Sequence, residues 1–181
     1  MRTILPESQN PILREQAKHI LLADIGSVHI KHLISDMQKL LAKEEFGVAL
    51  AAPQVGEPVR LFIVSGRAVA RDSRNAPDEE DKRKEMPAVA DQVYINPELI
   101  KISRGRKDKH EGCLSIRGKW GEVPRAEKAS VRAYDEHGVQ FTRGASGFLA
   151  HVFQHEMDHL EGILYTDKAT AIYDEQHDES E

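Results

Sequence analysis

The stretch QHEMDHLEG, residues Gln154 to Gly162, sets two histidines four residues apart with a glutamate directly after the first. On a helix, positions four apart lie one turn apart on the same face, so His155 and His159 can hold one metal ion together. Glu156 is then placed to take a proton from metal-bound water. Chance alone produces so short a pattern on amphipathic helices with surface histidines. The assignment therefore depends on a third ligand, because a hydrolytic metal site has three protein ligands and one open position.

Downstream sequence does not supply that ligand. In zinc peptidases whose third ligand is a histidine six residues after the second, the position falls here on Tyr165. A glutamate farther on, as in other HExxH peptidases, would have to be Glu179 or Glu181, at the extreme end of the chain. Upstream, HEGCLSIRG (His110 to Gly118) carries Cys113, the single cysteine. A lone cysteine is ordinarily a small buried hydrophobe. Here Gly112 beside it admits close backbone approach, and the flanks are polar and charged. One thiolate with two imidazoles is a mixed donor set suited to zinc or divalent iron. No intrachain disulfide is possible, so the thiol stays available. A third stretch, GVALAAPQVG from Gly47 to Gly56, combines small residues with Gln54, whose amide can donate to a developing oxyanion; equally, it is a tight loop leading into a strand.

These residues must be positioned by a fold that the patterning outlines. At 181 residues, 40% hydrophobic and 30% charged, the chain suits one domain with a sizeable core. PILREQAKHILL and SVHIKHLISDMQKLLAKEE both carry helical apolar spacing, which predicts two N-terminal helices. VRLFIVS (Val59 to Ser65) predicts a buried strand, QVYINPELIKISR a strand interrupted at Pro97, and KASVRAYDEHGVQFTRGA a hairpin turning at DEHG. Residues 66–92 read as a polar surface insertion and 172–181 as a disordered acidic tail. Ser146 can cap a helix from Gly147 to about Leu160, with Gly162 ending it. Its inward face would carry Phe148, Val152, His155 and His159, with His151 on the flank. Helices, then antiparallel strands, then a C-terminal helix predict an α+β fold.

Composition bounds the partners. A net charge of −5 argues against a groove that binds nucleic acid by broad phosphate neutralisation. No run approaches the roughly 18 apolar residues of a membrane helix, and the N-terminal stretch lacks the apolar segment of a secretory signal. The expectation is a cytoplasmic protein with no membrane association.

Taken in order, GxxxAAPQ, EGCLS and QHExDH resemble the peptide deformylase family, and ILREQA, VPR (Val123 to Arg125), GFLA and LEGILYTDK extend the likeness outside the 66–92 segment. The resemblance implies antiparallel β-sheets packed around the metal-binding helix. It also implies removal of the N-formyl group from the formylmethionine of nascent polypeptides, with transient proximity to the ribosome. It implies one divalent metal, Fe(II) first, with Ni, Co or Zn as substitutes. Carried over by motif, Cys113, His155 and His159 are the ligands, and metal-bound water attacks the formyl carbon while Glu156 accepts and returns a proton. Gln54 and the backbone N–H of Leu114 meet the oxyanion. Glu111 and Arg125 support the cysteine loop, and Gly47, Val48, Ala49, Gly112, Phe148, His151 and Val152 bind substrate.

The chain departs from the family pattern at Ala49, where a second glycine is usual, at Arg117, where proline is usual, and at Trp120, where arginine or tyrosine is common. None is a proposed ligand, base or oxyanion donor, so these departures bear on substrate range. Against the deformylase stand an amidase with altered specificity, an HExxH metallopeptidase, and a non-enzymatic binder of nascent chains. The missing downstream ligand weighs against the peptidase. Retention of Glu156 and Gln54 weighs against the binder, which needs neither base nor oxyanion donor.

Overall fold

Strands that are apolar on both faces decide the architecture. The computed structural model describes residues 2–73 and 89–174. Every residue of β1 (Ala49–Ala51) and β2 (Leu61–Val64) is buried. Successive side chains of a strand point to opposite faces, and here each face has its own cluster. Leu50, Leu61 and Ile63 pack with Ile30, Leu33, Met37 and Leu41 of α1 (Val28–Lys43). Ala49, Ala51, Phe62 and Val64 instead join Leu149, Val152 and Phe153 of the C-terminal helix. The central sheet is thus covered by α1 on one side and by the histidine-bearing helix on the other.

The remaining elements are α2 (Gly66–Ser73), β3 (Gln92–Ile102), β4 (Arg106–Cys113), β5 (Ile116–Ala126), β6 (Lys128–Tyr134), β7 (Gln140–Ser146), α3 (Gly147–Leu160), α4 (Tyr165–Lys168) and β8 (Ala171–Asp174). They form a five-stranded sheet of order β1-β2-β3-β6-β7 and a three-stranded sheet of order β4-β5-β8. All strand pairs within both sheets are antiparallel. The fold is α+β, as the order of elements predicts. Among the described residues, no helix is long and apolar enough to cross a membrane.

Several expectations hold. α1 follows the helical spacing of its sequence, and β6 and β7 form the hairpin at Asp135–Gly138. Ser146 stands at the N-terminus of α3 as expected, but among the described residues its side chain makes no capping bond, whereas Ser27, not singled out from sequence, caps α1 by accepting from the Ile30 N–H at 3.3 Å. β3 runs through Pro97 by means of a bulge between Ile95 and Glu98, with Asn96 at φ 49°. α3 ends before Gly162, whose φ of 73° is left-handed.

Three expectations are corrected. The stretch from Pro11 to Leu22 is not a helix: Pro11–Arg14 is a short 3-10 turn, and the chain then runs extended. Tertiary bonds take its backbone groups: Ala17 N–H donates to Leu160 O at 2.9 Å and Lys18 N–H to Pro58 O at 2.8 Å. Asn96 holds both the N–H and the carbonyl of Ile20, at 2.8 and 2.7 Å. Residues 66–73 are helix rather than loop, because Ala68, Val69 and Ala70 bury their side chains and Ser65 Oγ accepts from Ala68 N–H at 3.3 Å; residues 74–88 of that predicted insertion lie outside the described residues. In the predicted tail, residues 172–174 form part of β8 and pair with β5, and 175–181 lie outside the described residues.

Candidate metal centre

α3 places its two histidines as the four-residue spacing requires, with ring centroids 4.9 Å apart. Cys113 reaches them from the end of β4, where a register shift between Glu111 and Cys113 interrupts the pairing with β5. Such a bulge re-aims a side chain. Cys113 Sγ lies 3.3 Å from His159 Nε2, and one ligand atom from each of Cys113, His155 and His159 falls within 4.8 Å of the others. Tetrahedral ligation by sulfur and nitrogen needs separations of roughly 3.3 to 3.6 Å. The Cys113–His159 pair already has that separation, the three residues are close enough to hold one ion, and a thiolate with two imidazoles suits zinc or Fe(II).

Buried charges behind the ligands hold them in place. Arg125 donates to both oxygens of Glu111, at 2.6 and 2.8 Å, and to Asp158 at 2.6 Å. Lys168 closes the chain on Asp158 at 2.6 Å. Glu111 Oε2 then lies 2.9 Å from His155 Nδ1, which fixes the ring and leaves Nε2 for a metal. Burial alone would raise the Glu111 pKa, but Arg125 and His155 outweigh it and hold it at about 2. Glu111 is therefore a carboxylate at any working pH. The pairing of Glu111 with Arg125 agrees with the resemblance; Asp158 and Lys168 were not singled out from sequence, since an aspartate between two motif histidines carries no sign of the arginine it meets.

Gln54 is buried in the 3-10 turn after β1. Its Oε1 accepts from Ala51 N–H at 2.9 Å, which turns its amide nitrogen toward the centre, 3.4 Å from both Cys113 Sγ and Ser115 Oγ. Ser115 is a further neighbour that sequence alone did not mark. Glu156 is 3% exposed. Burial raises its pKa to about 7, and among the described residues its Oε2, like His159 Nδ1, has no hydrogen-bond partner. His151 is also buried, its Nε2 is unpartnered, and burial lowers its pKa to about 4. It is neutral near pH 7.

The residues predicted to meet substrate divide into two groups. Val48, Ala49, Phe148 and Val152 share one apolar cluster, so the structure brings them together. Gly47 and Gly112 have packing reasons of their own. A β-carbon at Gly47 would fall 2.8 Å from Glu44 Cβ and 2.9 Å from Leu41 Cδ1, and one at Gly112 would fall 3.1 Å from the Trp120 ring. Leu114 lies in the turn after Cys113, its side chain packed against the α1-side cluster.

A Cys-His-His group that could hold a metal ion, with Cys113 from β4 and the two histidines from α3, beside a buried carboxylate, is the kind of donor set that a metal-dependent hydrolase uses. A family model described as polypeptide deformylase matches residues 1–175. A peptide deformylase from Desulforudis audaxviator is 35% identical over 166 residues, covering 91% of each chain. Among solved structures, a peptide deformylase from Thermotoga maritima superposes with a TM-score of 0.74 at 30% identity, covering 94% of this chain and 99% of that one. One from Acinetobacter baumannii, solved with Met-Ala-Ser bound, gives 0.75 at 28% identity over 93% and 98%. The chain belongs to the peptide deformylase family and is a hydrolase.

Proposed function

We propose that the chain removes the formyl group from N-formylmethionyl peptides, with Cys113, His155 and His159 holding Fe(II), or Ni, Co or Zn in its place. The observation that carries this is the convergence of those three ligand atoms with a fixed amide donor, Gln54, beside a buried carboxylate, Glu156. When bound, the ion supplies Lewis-acid chemistry, acidifying water and polarising a carbonyl oxygen. Glu156, with a pKa of about 7, accepts the proton of the attacking water near neutrality and gives it to the departing amine. Gln54 Nε2 and the Leu114 N–H donate to the oxyanion as it forms, and loss of one such donor typically costs about 3–4 kcal/mol. Val48, Ala49, Phe148 and Val152 receive the methionine side chain, with His151 at its edge. The Met-Ala-Ser held by the Acinetobacter relative is the peptide that deformylation of formyl-Met-Ala-Ser would release. Such substrates are made at translation, which places the chain transiently near ribosomes in the cytoplasm.

The test is anaerobic purification with metal analysis, followed by assay on formyl-Met-Ala-Ser and on an unformylated peptide of similar length. Formate release with one metal per chain and no internal cleavage is expected. Cleavage of internal peptide bonds, or no formate release with metal bound, overturns the proposal.

A further inference from the structure

Two contacts join the turn between β4 and β5 to the segment around β1. The first is Gln54, at the C-terminal side of β1, touching Cys113 and Ser115. The second lies on the N-terminal side of β1: Arg117 donates through Nη1 and Nη2 to the two carboxylate oxygens of Glu44, at 3.1 and 2.8 Å. The turn is thus fastened at both ends of β1, with the Gly47–Ala49 arm between the fastenings. Ser115 is also held through its carbonyl by Glu7 N–H at 2.9 Å, whereas the end carrying Arg117 has the ion pair with Glu44.

The two partners differ in how firmly they stand. Glu44 follows α1 directly, its side chain is 24% exposed, and its own carbonyl accepts from Arg67 at 3.0 Å. Gly47 packs against its Cβ so closely that no side chain would fit there. Arg117 is 62% exposed and has its guanidinium fixed by two parallel bonds, a geometry specific to arginine and carboxylate. The glutamate is the anchor and the arginine is the strap. Proline, usual at this position in the family, could not make the contact.

We propose that Arg117 and Glu44 are positioning residues that set the width of the substrate cleft between the Gly47–Ala49 arm and the Cys113–Arg117 turn. This rests on the deformylase reading above. Opening the pair lets the Arg117 end of the turn drift from the arm, so peptide is held less well, while the Cys113–Ser115 end, held by Gln54 and Glu7, keeps its place beside His155, His159 and Glu156. An exposed pair of this kind shifts affinity by about threefold to fivefold. Because the effect is electrostatic, salt should bring the unmodified protein toward the variants.

The experiment compares Arg117→Gln, Arg117→Lys, Glu44→Gln and the Glu44→Gln/Arg117→Gln double variant. The chain has one tryptophan, Trp120, lying over Gly112, so its fluorescence reports binding of the product peptide Met-Ala-Ser independently of turnover. Expected are a KM and a Met-Ala-Ser Kd raised about threefold to fivefold in each Gln variant, with kcat and metal content unchanged. The double variant should be no worse than either single one, since both remove one interaction. Arg117→Lys, which keeps charge but loses the fork, should fall between. Additive single effects, an unchanged Kd, or a fall in kcat with KM unchanged would each overturn the clasp. Absence of formate release by the unmodified protein would count against the deformylase reading itself, while the Kd comparison would still decide whether the pair shapes the cleft.

Discussion

Cys113 and Glu156 both border the centre, but their removal should leave two different proteins. In the proposed centre Cys113 would contribute one of three ligand atoms, so Cys113→Ala should lose metal affinity and, with it, activity. Glu156 lies outside that set and is buried with one oxygen unpartnered; Glu156→Gln should retain metal and lose turnover by two or more powers of ten, about the range of general acid–base contributions. Elemental analysis beside steady-state rates separates them, and equal metal loss in both would contradict the assignment. That the two histidines and the glutamate lie together on one helix was legible because their geometry is local, one helical turn. Cys113 was legible only through its motif, since nothing in the 41 residues between it and His155 states that β4 and α3 converge. Ser115 and Asp158 were not legible at all, because each acquires its meaning from a partner far away in sequence, Gln54 and Arg125; Lys168 was missed because its meaning depends on that of Asp158.

At the scale of elements, the same rule separates what sequence patterning captured from what it did not. The β6–β7 hairpin follows from its own turn, in which Asp135 Oδ1 accepts from His137 and Val139 N–H at 2.9 and 2.8 Å. The helical spacing of Leu13, Ala17 and Ile20 was real as a burial pattern, since all three are buried. Leu21, which should share that face, is 70% exposed, because tertiary hydrogen bonds to the Leu160 and Pro58 carbonyls and with the Asn96 side chain override a marginal helix. Arg125 shows what such long-range ties contribute, since it joins β4, β5 and α3 through Glu111 and Asp158. Arg125→Met should leave the buried Glu111 carboxylate without its cation and Asp158 with Lys168 alone, and cost about 3–5 kcal/mol, measurable by urea unfolding at pH 7. The acid limb moves as well. The Glu111 pKa is held at about 2 against an ordinary 4.5, so the unfolded chain binds more protons between those values. The stability it contributes is present above about pH 4.5 and is lost as pH falls toward 2. Without Arg125 the Glu111 pKa rises, and acid unfolding should begin at higher pH; an unchanged acid midpoint would contradict the network.

Over the whole molecule, α3 is the joint between the two sheets, and the proposed metal ligands come from α3 and from the smaller sheet. The helix packs on the five-stranded sheet through Leu149, Val152 and Phe153. It meets the three-stranded sheet through polar contacts: Gln154 exchanges two 2.9 Å bonds with the backbone of Ala126 in β5, and Asp158 pairs with Arg125. Cys113 stands on the three-stranded sheet and His155 and His159 on the helix, so an ion bound by all three ties the smaller sheet to the rest of the fold. Binding to the folded form alone stabilises it by about 3–4 kcal/mol when free metal is 100 to 1,000 times its Kd. Chelation should therefore lower the thermal midpoint of the unmodified protein and of Glu156→Gln, and leave that of Cys113→Ala unchanged. The loss should also be uneven. Amides of β4 and β5 should exchange faster with solvent after chelation, whereas β2 and the buried Val93–Asn96 part of β3 should keep their protection. A midpoint that ignores chelator, or equal acceleration of exchange in both sheets, would mean that the ion does not serve as the tie between them.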